Sequence, residues 1–168
     1  QMPQVEAALI ALDPHDGAVR SLVGGFDFGK NQYNHVTQAS RQPGSSFKPI
    51  VYATGIENRD FTAATLWEDK PINLGGYSPK NYDLTYRGKV TTRRALSISL
   101  NIPAVLALQK AGIDTTIDRA KKLGITTLDE DTNYGLPMAL GSAQANLTEM
   151  TNVYATFANA GRRNDTTT

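Results

Sequence analysis

Pro49 fixes where a helix can begin. Phe47, Ile50, Val51 and Ala53 are spaced along a helical pattern over residues 45–57. Proline lacks an N–H and its ring clashes with a preceding turn, so it is tolerated only in a first turn, whose donors have no intrahelical partner. The helix therefore starts near Ser45-Ser46. That start places Ser45 and Lys48, three residues apart, on one face and about one turn from each other.

The remaining pattern reads as a hairpin followed by helices. Val5-Glu6-Ala7-Ala8-Leu9-Ile10-Ala11-Leu12 is strand-like, residues 13–17 supply turn chemistry, and Ala18-Val19-Arg20-Ser21-Leu22-Val23 runs back, so residues 5–24 form a hairpin. Residues 26–40 read as a polar loop. Residues 58–90 read as mixed loop and short segments, punctuated by Pro71, Gly75-Gly76 and Pro79. Four helices follow. They cover residues 92–99 with Thr91 as N-cap, 102–111 with Pro103 near its start and Gly112 as a stop, 115–123 between Asp114 and Gly124, and 147–159. In the last, Asn146 and Glu149 have capping-box spacing, and Leu147, Met150, Val153, Tyr154 and Phe157 share a face.

Composition removes several function classes. The 168 residues fit one domain, and a net charge of +1 gives no basic stripe for nucleic acid. Cysteine is absent, which excludes disulfides, thiolate metal sites and cysteine nucleophiles together. With only His15 and His35, a histidine metal site or a Ser-His-Asp triad has little to draw on, and His15 reads as a solvated turn residue. No apolar run spans a bilayer, and Gln1-Met2-Pro3-Gln4 does not read as a signal peptide. Hydrolytic or acyl-transfer chemistry here needs a base other than histidine.

Ser45 and Lys48 can supply it. A neutral lysine amine can accept the serine proton, and burial lowers a lysine pKa toward the value a base needs. Ser45 at a helix start also lies at the positive end of the helix dipole. The plainer alternative is a capping serine and a solvated lysine. Against it, Gly44 permits close backbone approach at the nucleophile, and Pro49 biases Lys48 away from α geometry, so the segment is expected to be strained. Further on, Ser99 and Asn101 fall on the bend between two helices and can deliver a hydroxyl and an amide to a neighbouring site. The alternative there is that Asn101 caps the helix that Pro103 opens.

Pro43-Gly44-Ser45-Ser46-Phe47-Lys48-Pro49, with Ser99-Leu100-Asn101 beyond it, resembles the transpeptidase domain of class A penicillin-binding proteins, whose motif set includes S-x-x-K. Similar stretches occur along nearly the whole chain: Ala11-Leu12-Asp13-Pro14, Gly24-Gly25, Tyr33-Asn34, Thr37-Gln38-Ala39, Pro79-Lys80-Asn81-Tyr82, Ala139-Leu140-Gly141-Ser142 and Tyr154-Ala155-Thr156-Phe157-Ala158-Asn159. The resemblance implies an α/β (α+β) fold, an antiparallel sheet flanked by helices plus an all-helical subdomain. It also implies a peptidoglycan D,D-transpeptidase at the extracytoplasmic face of a bacterial inner membrane. By that resemblance Ser45 attacks the penultimate D-alanine carbonyl of a stem peptide, and Lys48 takes its proton. Ser99 relays a proton to the leaving amine, Asn101 bonds the substrate amide and steadies Lys48, and Gly44, Ser45 and Asn101 line the substrate. An acceptor amine then resolves the acyl-enzyme. β-Lactams are expected to acylate Ser45, and no cofactor or metal is implied.

One element of the pattern is not matched. No Lys-Thr-Gly or Lys-Ser-Gly occurs. In the family that motif binds the substrate carboxylate, and its strand supplies one of two oxyanion donors, the other being the nucleophile's own N–H. Loss of one such donor costs on the order of 3–4 kcal/mol. The sheet is therefore expected to be incomplete, with the remaining strands on a second chain or segment, and the chain to be a partial transpeptidase domain without its glycosyltransferase domain and anchor. The rivals are a serine β-lactamase, a β-lactam-sensing domain and an inactive fragment.

Overall fold

The computed structural model describes residues 5–128 and 132–167. In chain order the elements are β1 (Leu9–Leu12), β2 (Val19–Val23), β3 (Ser40–Arg41), α1 (Lys48–Glu57), β4 (Leu66–Asp69), β5 (Gly88–Thr91), α2 (Thr92–Ser97), α3 (Asn101–Ala111), α4 (Ile113–Lys122), β6 (Ala145–Asn146) and α5 (Leu147–Ala158). Two 3-10 turns, Gly44–Phe47 and Leu136–Leu140, complete the set. The strands pair as three antiparallel ribbons, β1 with β2, β3 with β6 and β4 with β5. Among the described residues no helix is long and apolar enough to cross a membrane.

The chain forms two compact units. One comprises residues 1–42, 121–129 and 144–168. Its β1–β2 hairpin pairs Leu9 with Val23 and Ile10 with Leu22, then slips at Leu12, which faces Val19. At its turn Asp13 Oδ1 accepts the His15 N–H at 2.9 Å, and His15 is exposed as expected. α5 packs against β1 and carries the expected capping box: Asn146 Oδ1 accepts the Thr148 N–H at 2.8 Å, and Glu149 Oε2 accepts the Asn146 N–H at 3.1 Å. The buried face is not the full apolar stripe. Met150 and Val153 are inside, but Leu147 and Tyr154 are exposed while Asn152 and Thr156 are buried. Those two polar side chains can be inside because Asn152 Nδ2 donates to Asn164 O at 3.0 Å and Thr156 Oγ1 to Asn152 O at 2.9 Å.

The other unit, residues 43–120 and 130–143, holds the serine–lysine segment. α3 buries Ile102, Pro103, Ala104, Val105, Ala107, Leu108 and Ala111, apolar on almost every side, which makes it the central helix. α1 packs against it. Tyr52, Phe61 and Trp67 stack edge to face with centroids 6.3 and 5.0 Å apart. To the helices expected here the structure adds the β4–β5 ribbon, inside the stretch read as mixed loop. β4 alternates with period two, turning Trp67 and Asp69 inward and Leu66 and Glu68 outward.

Helix ends shift by a residue or two. α2 stops at Ser97, α3 begins at Asn101, and α4 begins at Ile113, so Asp114 lies in the first turn and not at the cap. Thr91 does cap α2, its Oγ1 accepting the Arg94 N–H at 3.2 Å.

Candidate active site

The segment predicted as one helix is two. Gly44–Phe47 is a 3-10 turn that runs directly into α1 at Lys48. Residues three apart eclipse in such a turn, which keeps Ser45 and Lys48 on one side. Ser45 is exposed, and its hydroxyl makes no hydrogen bond among the described residues. Lys48 is 1% exposed, so the reading of a solvated lysine fails.

The expected strain is displaced. Lys48 is in α geometry, φ −53° and ψ −40°, despite the proline after it. The pre-proline bias is a local preference, and the hydrogen bonds that draw the Lys48 side chain inward override it. Gly44 is not the point of close approach either: a Cβ there would meet nothing within 4 Å. Gly44 is needed for its positive φ of +58°. The tight contact belongs to Gly141, also at positive φ, where a Cβ would fall 2.1 Å from Gly44 O, and Gly44 N–H donates to Gly141 O at 3.4 Å. Gly141 thus fixes the backbone immediately before Ser45.

Lys48 Nζ lies 2.6 Å from Ser99 O, 3.0 Å from Ser99 Oγ and 2.7 Å from Asn101 Oδ1. None of the three partners carries a charge. Burial without a counter-ion pushes the amine down from 10.5 to about 8.

Ser99 supplies two of those acceptors from a strained position. At the end of α2, Ser99 N–H donates to Leu96 O at 3.0 Å and Leu100 N–H to Ala95 O at 2.9 Å, the paired bonds of a Schellman ending. The left-handed residue of that ending is ordinarily glycine. Here it is Ser99, at φ +56°, and the unfavourable conformation costs roughly 1–2 kcal/mol. The same turn that closes α2 aims both oxygens of Ser99 at the amine.

Asn101 opens α3, and its amide orientation is determined by its neighbours. Nδ2 donates to Lys80 O at 2.8 Å, so Oδ1 is the atom that faces Lys48. Its backbone N–H donates to Asn81 Oδ1 at 2.9 Å. The expectation that Asn101 itself caps the helix is therefore replaced: Leu100 is the N-cap residue, with no side-chain bond, and Asn81 satisfies the first donor.

Lys48, Ser99 and Asn101 are thus in direct contact, with Ser45 and Gly44 on the adjoining turn. Sequence reasoning did not single out Asp69, Asn81 or Gly141 as parts of this arrangement. For Asp69 the available signal was its alternation with Trp67. Asn81 and Gly141 lay in stretches noted only for resemblance. Among the described residues no cluster of His, Asp or Glu could hold a metal ion.

The chain belongs to the penicillin-binding protein transpeptidase family: the model of the penicillin binding protein transpeptidase domain matches residues 7–167. Within it, the chain is similar to penicillin-binding protein 1A of Pseudomonas aeruginosa, 42% identical over 96% of this chain and 20% of that protein. It is 38% identical to penicillin-binding protein 1A of Neisseria lactamica over 97% of this chain and 21% of the relative. The chain spans about a fifth of the length of these curated relatives. Among solved structures, penicillin-binding protein 1A of Haemophilus influenzae superposes with a TM-score of 0.86 at 35% identity, covering 95% of this chain and 24% of that one. The PonA1 protein of Mycobacterium tuberculosis, solved in complex with penicillin V, also gives 0.86, at 26% identity over 95% of this chain and 45% of that chain.

Proposed function

We propose that this chain carries the acyl-serine site of a peptidoglycan D,D-transpeptidase, with Ser45 as nucleophile, Lys48 as base, Ser99 as proton relay and Asn101 as substrate and lysine anchor. The observation that carries the reading is the buried, uncompensated Lys48 amine with its three neutral acceptors. As an ammonium it has three N–H donors, and Ser99 O, Ser99 Oγ and Asn101 Oδ1 take all of them. As a neutral amine it has two donors and a lone pair. It then keeps Ser99 O and Asn101 Oδ1 and turns the lone pair to a hydroxyl proton. Of the three partners, Ser99 Oγ alone can reverse its role and donate.

The reaction balances on these groups. Ser45 Oγ adds to the penultimate D-alanine carbonyl as its proton passes to Lys48 Nζ. The peptide C–N bond then breaks, and the terminal D-alanine leaves with a proton passed from Lys48 through Ser99 Oγ. An acceptor amine attacks the ester, its proton returns through the same groups, and Ser45 is restored in a crosslinked product. The Ser45 N–H, in the first turn of its helix, suits one side of an oxyanion hole. Among the described strands β1 and β2 pair only with each other, which leaves a sheet edge that suits the addition of strands from a segment bearing Lys-Thr-Gly. The site would work at the extracytoplasmic face of the inner membrane, where its substrate lies.

The test is an intact-mass spectrum of the full-length protein carrying this chain, before and after exposure to a penicillin. A penicillin-sized adduct mapped to Ser45 is expected, lost in Ser45→Ala. An unmodified protein, or an adduct elsewhere, overturns the assignment.

A further inference from the structure

We propose that Asn81, anchored by the Asp69 carboxylate, is a positioning residue of the acyl-transfer site, fixing Asn101 and through it the amine of Lys48. The inference rests on the acyl-serine reading above. Asp69 is fully buried on the inward side of β4. Within hydrogen-bond reach it has no cation; its carboxylate accepts Asn81 Nδ2 at 2.9 and 3.0 Å and the Arg87 backbone N–H at 2.8 Å. The hydrogen bonds to this carboxylate come from neutral donors, with the Arg87 guanidinium acting on it only through space, so removing any one donor leaves a buried acceptor under-satisfied. Asn81, 3% exposed, spends its remaining donor on Thr85 O at 2.9 Å. With both N–H groups committed, its Oδ1 has one orientation, and that orientation meets the Asn101 N–H.

Asn101 is therefore held at two points by consecutive residues: its backbone by Asn81 Oδ1 and its side chain by Lys80 O. What remains free to act is Oδ1, 2.7 Å from Lys48 Nζ. The hydrogen-bond partners of Lys48 are Ser99 and Asn101, so the hydrogen-bonded route from Asp69 and Asn81 to the amine runs through Asn101. A helix start could be capped more simply by a local serine or aspartate at position 100. The distant cap instead ties the start of α3 to a buried carboxyl side chain on a strand.

The experiment compares the full-length wild type with Asn81→Ala and Asp69→Asn, reading the acylation rate constant and the noncovalent dissociation constant for a fluorescent penicillin separately. Circular dichroism and thermal melting report folding. In Asn81→Ala the acylation rate constant falls at least about tenfold, toward the hundredfold that a misplacement of about 1 Å costs, while the dissociation constant, to which Asn101 also contributes, rises by a smaller factor. Asp69→Asn, which keeps one acceptor oxygen, falls by less. If melting temperature drops but the folded protein acylates at the wild-type rate, the pair is structural and the proposal is overturned. If Asn81→Ala does not fold, Asp69→Asn decides by the same criterion. If the wild type is not acylated at Ser45, the transpeptidase reading fails on its own account. The positioning claim is then judged by competitive acetylation of Lys48 against pH: an altered labelling midpoint in the variants supports it, and an unchanged midpoint overturns it.

Discussion

Acylation of Ser45 should titrate with the Lys48 amine, and the shape of that titration is set by the structure. Burial among Ser99 O, Ser99 Oγ and Asn101 Oδ1 lowers the amine from 10.5 to about 8, a shift equivalent to about 3 kcal/mol of bias against the charged form. The neutral fraction is then about 1% at pH 6, about 9% at pH 7, about half at pH 8 and about 90% at pH 9. If the neutral amine is the base, the rate constant for acylation rises nearly tenfold per unit below pH 7 and flattens above pH 9. An amine at its ordinary value would give a line still rising at pH 9, with only about 3% neutral. The assay is rapid-quench acylation of the full-length protein by a fluorescent penicillin, with Lys48→Arg as the variant that cannot deprotonate. A flat profile from about pH 6 to 9, or a rise without a bend, refutes the reasoning. Stability carries the matching signature. The folded state binds fewer protons than the unfolded chain between about pH 8 and 10.5, so this group's contribution to stability rises with pH through that window and is least favourable below it.

Three further outcomes follow from the geometry. Ser99→Ala and Ser99→Gly both remove the hydroxyl proposed as relay and should slow acylation, but glycine relieves the left-handed strain at φ +56°, so by chemical denaturation the glycine variant should be about 1 kcal/mol more stable than the alanine variant. Gly141→Ala places a Cβ 2.1 Å from Gly44 O and should cut penicillin acylation about hundredfold though it alters no reacting group, since the backbone before Ser45 must move. Glu149 is pushed up by burial, but bonds from Thr126, Thr127 and the Asn146 N–H outweigh that and hold it below its ordinary value. Its stabilisation is present above the unfolded carboxyl pKa and is lost as pH falls through the folded one. Glu149→Gln should therefore cost about 1–3 kcal/mol at neutral pH and weaken the acid dependence of the melting temperature.

Much of this arrangement is local enough to be legible in the amino-acid order. Pro49 confines the helix start to the segment around Ser45, and the three-residue spacing across the 3-10 turn aligns Ser45 with Lys48. Asn146 and Glu149 announce a capping box that forms as expected. The face of α5 was legible only in part, because a stripe count rewards Leu147 and Tyr154 for being apolar and cannot know that Asn152 and Thr156 will find partners inside. The pre-proline rule misled at Lys48 for a related reason: it weighs one residue's backbone preference, while the amine of that residue makes three bonds to positions 99 and 101.

The features that no local rule finds are those in which one segment completes another. α3 is entered from Leu100, whose side chain cannot cap it, which in isolation reads as a weak helix start; the missing acceptor is Asn81, twenty positions before Asn101. Gly44 invites a close-contact reading because it adjoins Ser45, yet the contact requires the absence of a side chain at Gly141. Ser99 occupies a position where glycine is favoured, and the cost makes sense only once Lys48 is placed against both of its oxygens. In each case the local sequence shows a deficit that another segment explains: an uncapped helix, a glycine at Gly141 that the Gly44 backbone requires, a strained serine. All three deficits converge on the same buried amine and the turn beside it. That convergence separates a coordinated arrangement from three independent imperfections, since a chain selected for stability alone would have corrected the uncapped helix start and the strained serine with single substitutions.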